Sequence, residues 1–238
     1  MARKNPAPGA EEGLPDWFAT FADLMTLLMT FFVLLFSMAT LDPVKIADLA
    51  ASMEKNMTAS RRPKVKIKTQ SQIHKEVKQV IQKMQMQEMA EVSHSPKGTT
   101  ITIDSRFAFT SGQAILRADI FPFLDSIIPI MTDRGNKFPI AVEGHTDNEP
   151  TTGAIATRFP TNWELSGARA ASVVRYCMSK GVPGGKMRAV GFADRVPYGT
   201  SWRQTRLGVT EEMVRAGNTT EELRSANRRV EITFLAVG

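Results

Sequence analysis

Cysteine occurs once and histidine three times in 238 residues. A lone Cys177 builds no internal disulfide framework, so export to an oxidising compartment is permitted but not required. His74, His94 and His145 lack metal-ligand spacing, and Cys177 falls inside a helical pattern, which excludes a metal hydrolase motif. No nucleophile–base pair and no phosphate-cradling glycine loop is present. The chain therefore reads as a non-enzyme, with no metal site and no tightly bound cofactor. A concentrated basic surface is also missing. The formal charge of +6 is spread out, and its densest group (Arg61, Arg62, Lys64, Lys66 and Lys68) lies in a linker-like stretch. Such a group suits a solvated connector, anionic lipid or cell-wall polymer, and nucleic acid is not an expected partner.

Charge is scarcest between Trp17 and Leu41, where Asp23 is the sole charged residue among 25. As a helix this run is roughly 37 Å long, enough to cross a bilayer. Ser37-Met38-Ala39 resembles a signal-peptide cleavage site, but the run is too long, it carries Asp23, and acidic residues cancel its short basic start. Local charge is a poor guide to orientation. Two basic residues precede the run and more follow it, which alone favours the reverse of the topology reached below.

A carboxylate in a membrane span is costly unless it faces protein, a wet cavity or an ion path. Asp23, Thr26, Thr30 and Ser37 recur three, four and seven apart, so they share one helix face. Leu24, Leu27, Leu28, Phe31, Phe32, Leu35 and Phe36 occupy the others. Such a face can coordinate or relay a cation when other helices complete the enclosure. The same residues also fit a plain span from Leu24 to Leu41, with Asp23 among headgroups and the hydroxyls bonded to their own backbone.

The rest of the chain divides by composition. Residues 1–16 form an irregular tail and 17–41 the membrane helix. Residues 42–57 form an amphipathic helix with Ile46, Leu49, Ala50, Met53 and Met57 at spacings of three and four. A linker and stem occupy 58–96, where Ile73, Val77, Val80, Ile81 and Met84 predict a second amphipathic helix reaching Glu91. A domain over 97–236 begins near Gly98. Strands are predicted at Thr99–Ile103, Phe138–Glu143, Met187–Val190 and Arg229–Leu235. Helices are predicted at Ile115–Met131, interrupted by Pro122 and Pro129, at Asn162–Ser179 and at Glu221–Ala226. This is an α/β or α+β two-layer sandwich, its sheet covered largely on one face. Residues 195–220 show no placeable pattern.

The segment from Leu14 through Asp23 to Phe36 (LPDWFATFADLMTLLMTFFVLLF) is similar to the B subunits of the bacterial flagellar stator, the MotB/PomB family. That resemblance implies a single-pass protein of the bacterial inner membrane, N-terminus in the cytoplasm and large domain in the periplasm. It implies that Asp23 carries the coupling ion, with Thr26 and Thr30 beside it, and that Ile46, Leu49 and Met53 belong to a plug against leakage. The implied partners are a second copy, five copies of a four-span A subunit, and periplasmic ring proteins of the flagellum. The wording around Asp23 leans to sodium as the transported cation, with the proton as alternative.

A second resemblance covers about residues 97–236. Gly144-His145-Thr146-Asp147, the run from Asn162 to Val173 (NWELSGARAASV), Gly191-Phe192-Ala193-Asp194 and Asn227-Arg228-Arg229-Val230-Glu231-Ile232 stand in the order of an OmpA-like peptidoglycan-binding domain. An aspartate and an arginine across a shallow groove suit the zwitterionic end of a diaminopimelate side chain in a peptidoglycan stem peptide. The resemblance gives this role to Asp147 and Arg169, with Thr146 and Asn162 shaping the pocket and Asn227 and Arg228 at its border or capping the last strand. His145 reads as a hydrogen-bonding structural residue. The 147–162 loop and the 195–220 stretch are enlarged, and either could cover the groove in an isolated domain. A passive envelope tether remains the rival to a motor subunit.

Overall fold

The computed structural model describes residues 15–38 and 67–236. The chain forms two units, divided near Leu41. In the first, helix α1 runs from Asp16 to Met38. It begins after Pro15, whose carbonyl accepts from the Phe18 N–H at 2.8 Å, a turn a proline can open because it needs no donor there. Its window from Trp17 to Leu35 has a mean hydropathy of 2.0 and buries nothing within this unit. Leu24, Leu27, Leu28, Phe31 and Phe32 all lie open, as suits a helix whose solvent is lipid or other helices. Residues 39–66 lie outside the described part. The amphipathic plug segment with Ile46, Leu49 and Met53 falls there, as does most of the basic linker.

The second unit is a five-stranded sheet with helices on one face. Its strands are β1 (Ala90–Ser95), β2 (Gly98–Asp104), β3 (Ile140–Gly144), β4 (Met187–Gly191) and β5 (Arg229–Leu235), in the order β1-β2-β5-β3-β4. All neighbours are antiparallel except β3 and β4, which run parallel. Parallel neighbours need a crossover, and the long helix between Asn162 and Ser179 supplies it. Ile101, Ile103, Ile140, Val142, Val230, Ile232 and Phe234 alternate onto the helix-covered face and are all essentially inaccessible.

Helix α2 (Gln70–Lys83) is where the structure departs most from expectation. It ends at Lys83 rather than near Glu91, and β1 follows it. The stop is a Schellman turn. The Met86 N–H reaches the Ile81 carbonyl at 3.1 Å, the Gln85 N–H reaches that of Gln82 at 3.2 Å, and Gln85 itself has φ +55°. Glycine normally occupies that position, so the sequence carries no stop signal. Nor is α2 a free stem, because Ile73, Val77 and Ile81 sit in the main core. Buried Gln70 ties it further, its amide donating to the Phe234 carbonyl (2.9 Å) and its oxygen accepting from the Thr99 N–H (3.0 Å). The packed body thus includes residues ahead of Gly98.

Helix α3 (Ser105–Ala108) is a single turn after β2, and α4 (Phe121–Thr132) follows a 3-10 turn at Ala118–Ile120. Pro122 starts α4, where its missing N–H costs nothing, and Pro129 lies within the helix. Helix α5 (Gly153–Arg158) precedes α6 (Asn162–Ser179), which opens on a capping box between Thr161 and Glu164. The unplaced stretch 195–220 holds α7 (Trp202–Leu207) and α8 (Glu211–Ala216), and α9 (Glu221–Asn227) leads into β5. Its leading part covers the polar face of the sheet. The Arg229 guanidinium lies 5.6 Å from the centre of the Tyr198 ring and donates to the Val196 carbonyl, while the Tyr198 hydroxyl donates to Glu91 at 2.9 Å.

Candidate functional site

Strand β3 ends at Gly144, and the next residues turn over the top of the sheet. The Cβ of any other residue at Gly144 would lie 2.1 Å from the Ser166 carbonyl oxygen, so glycine lets α6 press directly onto the strand. The His145 N–H donates to the Arg229 carbonyl (3.0 Å) and the Thr146 N–H to that of Ala193 (2.8 Å). This backbone pinning presents Asp147 at a fixed point. The Thr146 hydroxyl is buried and makes no hydrogen bond. The Asn162 amide donates to the carbonyls of Asp147 (3.1 Å) and Glu149 (2.8 Å), which makes it a brace for the loop.

Asp147 and Arg169 are brought to one region but not into contact as a salt bridge. The Asp147 carboxylate pairs with Arg228 at 2.6 Å. Arg169 instead donates from Nε to the Gln113 carbonyl (3.1 Å), with its guanidinium 5.4 Å from the centre of the Phe109 ring. Burial pulls its pKa down to about 10, opposed by the nearby Asp147 and aided by Arg228. Only 6% of Arg169 and 7% of Asp147 is exposed, so the two do not line an open groove. Ile155 of α5 lies against Gly112, and a small cluster of Ala114, Phe159 and Leu165 closes beside it.

The sequence placed Arg228 at the border of the site, whereas it is the direct partner of Asp147. Its other guanidinium nitrogen pairs with Glu221. Asn227 holds the neighbouring backbone, donating to the Gly217 carbonyl and Asn218 side chain and accepting from the Tyr198 N–H at 2.7 Å. Gln113, Asn218 and Tyr198 carry no local sequence signal, because they meet the site only through long-range packing.

His145 is not the hydrogen-bonding residue expected. Its ring stacks on Phe192, centroids 5.3 Å apart, and neither nitrogen has a partner of good geometry. Burial first, then Arg229 and Lys97, hold its pKa well below the ordinary value; the Val196 backbone opposes weakly. Ligand atoms of Glu143, His145 and Glu231 lie within 4.8 Å of one another, a grouping hidden from sequence spacing. Lys97 pairs with Glu143 and Arg229 with Glu231, so both carboxylates are neutralised by the chain's own cations. The cluster reads as a charge-balanced network under the insertion.

In α1, the Thr26 and Thr30 hydroxyls donate to the carbonyls of Asp23 and Leu27, each at 2.8 Å. Asp23 is exposed on the same helix. These bonds commit the hydroxyl protons to the backbone while leaving oxygen lone pairs for another partner.

Comparison with known proteins joins the two units. Residues 2–57 match a family model described as the membrane MotB of the proton-channel complex MotA/MotB, and residues 108–205 match the OmpA family. The uncharacterized protein YtxE of Bacillus subtilis is 30% identical over 98% of this chain and 93% of its own length. Motility protein B of the same organism is 25% identical over 100% of this chain and 97% of its own. The chain belongs to the MotB/PomB-like family. Among solved structures, the cell-wall anchor of the type VI secretion system from Pseudomonas aeruginosa matches with a TM-score of 0.53 and 28% identity, over 68% of this chain and 97% of that one.

Membership makes this MotB-type chain a membrane-anchored, stator-type subunit with a peptidoglycan-binding domain. It spans the inner membrane once, N-terminus inside and OmpA-like domain in the periplasm. Members of these families are structural and transport components rather than enzymes, and this chain is one of them.

Proposed function

We propose that the chain is the B subunit of an ion-driven flagellar stator, in which Asp23 carries the coupling cation and the periplasmic domain holds the stator to the wall. The observation that carries this reading is Asp23, the single charged residue of the apolar window Trp17–Leu35, followed by the Thr26 and Thr30 hydroxyls one and two turns on, among large apolar side chains that are all exposed. An uncompensated charge inside the hydrocarbon costs up to roughly 3 kcal/mol on insertion scales, a cost that an ion-binding role accounts for. One helix cannot enclose an ion. The proposed assembly is therefore two copies of this chain within five four-span A subunits, with the segment 42–57 as a plug before assembly and flagellar ring proteins as periplasmic contacts.

Sodium is the proposed ion in preference to the proton. Hydroxyls whose protons are spent on backbone carbonyls still offer oxygens to a metal cation, but they cannot pass a proton without breaking those bonds. At the wall, Asp147 takes the ammonium group and Arg169 the carboxylate of a diaminopimelate stem peptide, with Thr146 and Asn162 shaping and bracing the site. The proposed divisions are a cytoplasmic tail over 1–16, the span over 17–41, the plug over 42–57, linker and stem over 58–96, and the wall-binding domain over 97–236.

Torque recorded while sodium and proton gradients are varied independently tests the ion: rotation that follows the proton gradient alone removes sodium. Asp23→Asn tests the mechanism. Full motility with the variant correctly inserted would favour the rival reading, a passive tether that binds peptidoglycan without conducting.

A further inference from the structure

The seat proposed for the ligand's ammonium group is already taken. Asp147 Oδ2 accepts from Arg228 Nη1 at 2.6 Å, and Oδ1 accepts from the Glu149 N–H at 3.3 Å. Arg169 presents the opposite situation. Among the described residues it has no carboxylate within salt-bridge distance, and it is buried against Phe109. The site therefore holds a cation without an anion beside an anion whose cation comes from the chain itself. We propose that this is a shut state of the wall-binding site, in which Arg228 stands in for the ligand's ammonium group and must be displaced from Asp147 before a stem peptide can seat.

The surroundings of Arg228 permit that movement. Its backbone is fixed, since its carbonyl accepts from the Ser105 N–H (2.8 Å) and its neighbour Asn227 is held on both sides. Its side chain is not fixed in the same way. The guanidinium bridges buried Asp147 and exposed Glu221, on the first turn of α9. When a ligand ammonium takes Asp147, the arginine gives up one ion pair and keeps the other. At the same step the ligand carboxylate gives Arg169 the counter-ion it lacks. Arg224 also pairs with Glu221 at 3.1 Å, so the acid is held in place to receive the displaced arginine. Both latch residues lie at the end of the β4–β5 connection, Glu221 in the first turn of α9 and Arg228 between α9 and β5.

This inference rests on the wall-binding reading, and one titration separates the two. Full-length protein in detergent micelles is titrated calorimetrically with a stem tripeptide ending in diaminopimelate, and with the same peptide acetylated on its side-chain amine. With Arg228→Gln the amine-bearing peptide should bind about five- to tenfold tighter than to the wild type, and the acetylated one no tighter. Glu221→Gln removes the place to which Arg228 retreats and should weaken binding about threefold. Equal or lower affinity in Arg228→Gln, with the fold intact by circular dichroism, overturns the latch and makes Arg228 a ligand contact or a bystander. If Arg228→Gln does not fold, tighter or unchanged binding in Glu221→Gln overturns it instead. If no form of the protein binds either peptide and Asp147→Asn changes nothing, the wall-binding reading falls and the latch with it.

Discussion

At Gly144 and His145, two adjacent residues set the top of the sheet by opposite means. Gly144 contributes by lacking a side chain. A methyl group there would press into the Ser166 carbonyl at 2.1 Å, and that atom belongs to helix backbone that cannot turn aside. Gly144→Ala should therefore lower the stability of the domain by about 2–3 kcal/mol, read as a fall in its thermal midpoint. His145 contributes through its ring, held neutral by burial and by Arg229 and Lys97. The unfolded chain takes up a proton on this histidine near pH 6.5 while the folded one does not. The stabilisation is therefore complete above that pH and is lost as pH falls below it, by at most about 1.4 kcal/mol per pH unit for one proton. Denaturant unfolding at pH 7.5, 6.0 and 5.0 should show this slope. His145→Asn should flatten it, whatever it does to stability at neutral pH.

At the scale of elements, what the sequence discloses depends on whether a local pattern and the tertiary contacts agree. Helix α6 was legible to the residue, from Asn162 to Ser179, because its cap and apolar stripe both belong to the chain's local code. Strand β5 was legible because its alternation matches a sheet with one apolar face. Helix α2 was legible as a helix but not in its end or its role: Gln85 closes it where glycine is usual, and amphipathicity does not name the surface it meets. Ile73, Val77 and Ile81 meet the core, so Val77→Asp should abolish the cooperative unfolding transition of the domain, checked by circular dichroism on heating. A stem standing outside the core of the domain would leave that transition in place. Helix α7 gives the converse case. Leu207 is 79% exposed, and Leu207→Ser should move stability by less than about 0.5 kcal/mol. This helix resisted reading because none of its residues is buried in this chain, which leaves it no apolar face and no periodicity to find. In the candidate site, motif order singled out Asp147 and Arg169, and the fold brings them to one region without pairing them. Arg228 was legible at the border of the site but not as the partner of Asp147, because which acids a side chain reaches is decided by the fold.

For the whole molecule, the decisive property is that the proposed ion site and the proposed wall site stand in separate units of one chain. Asp23 stands on a helix that offers every described face to its surroundings, and Asp147 and Arg169 stand in a packed domain that needs no membrane to form its core. A stator does work only if the ion path moves something while the wall holds something else still. Losing either function should then abolish torque, but by different routes. Asp23→Asn should eliminate cation flux and motility while leaving affinity for isolated peptidoglycan within about twofold, since no wall-site residue is touched. Asp147→Asn should leave Asp23-dependent flux measurable in vesicles carrying the assembled stator, yet lower peptidoglycan affinity about tenfold or more through loss of a charged contact. Motility should fall with it, and fluorescently tagged stators should stay at the motor for shorter times. The comparison turns on the pair of results. If Asp147→Asn also stops the flux, the wall site gates the channel as well as anchoring it, and the two chemistries are coupled before torque is ever transmitted.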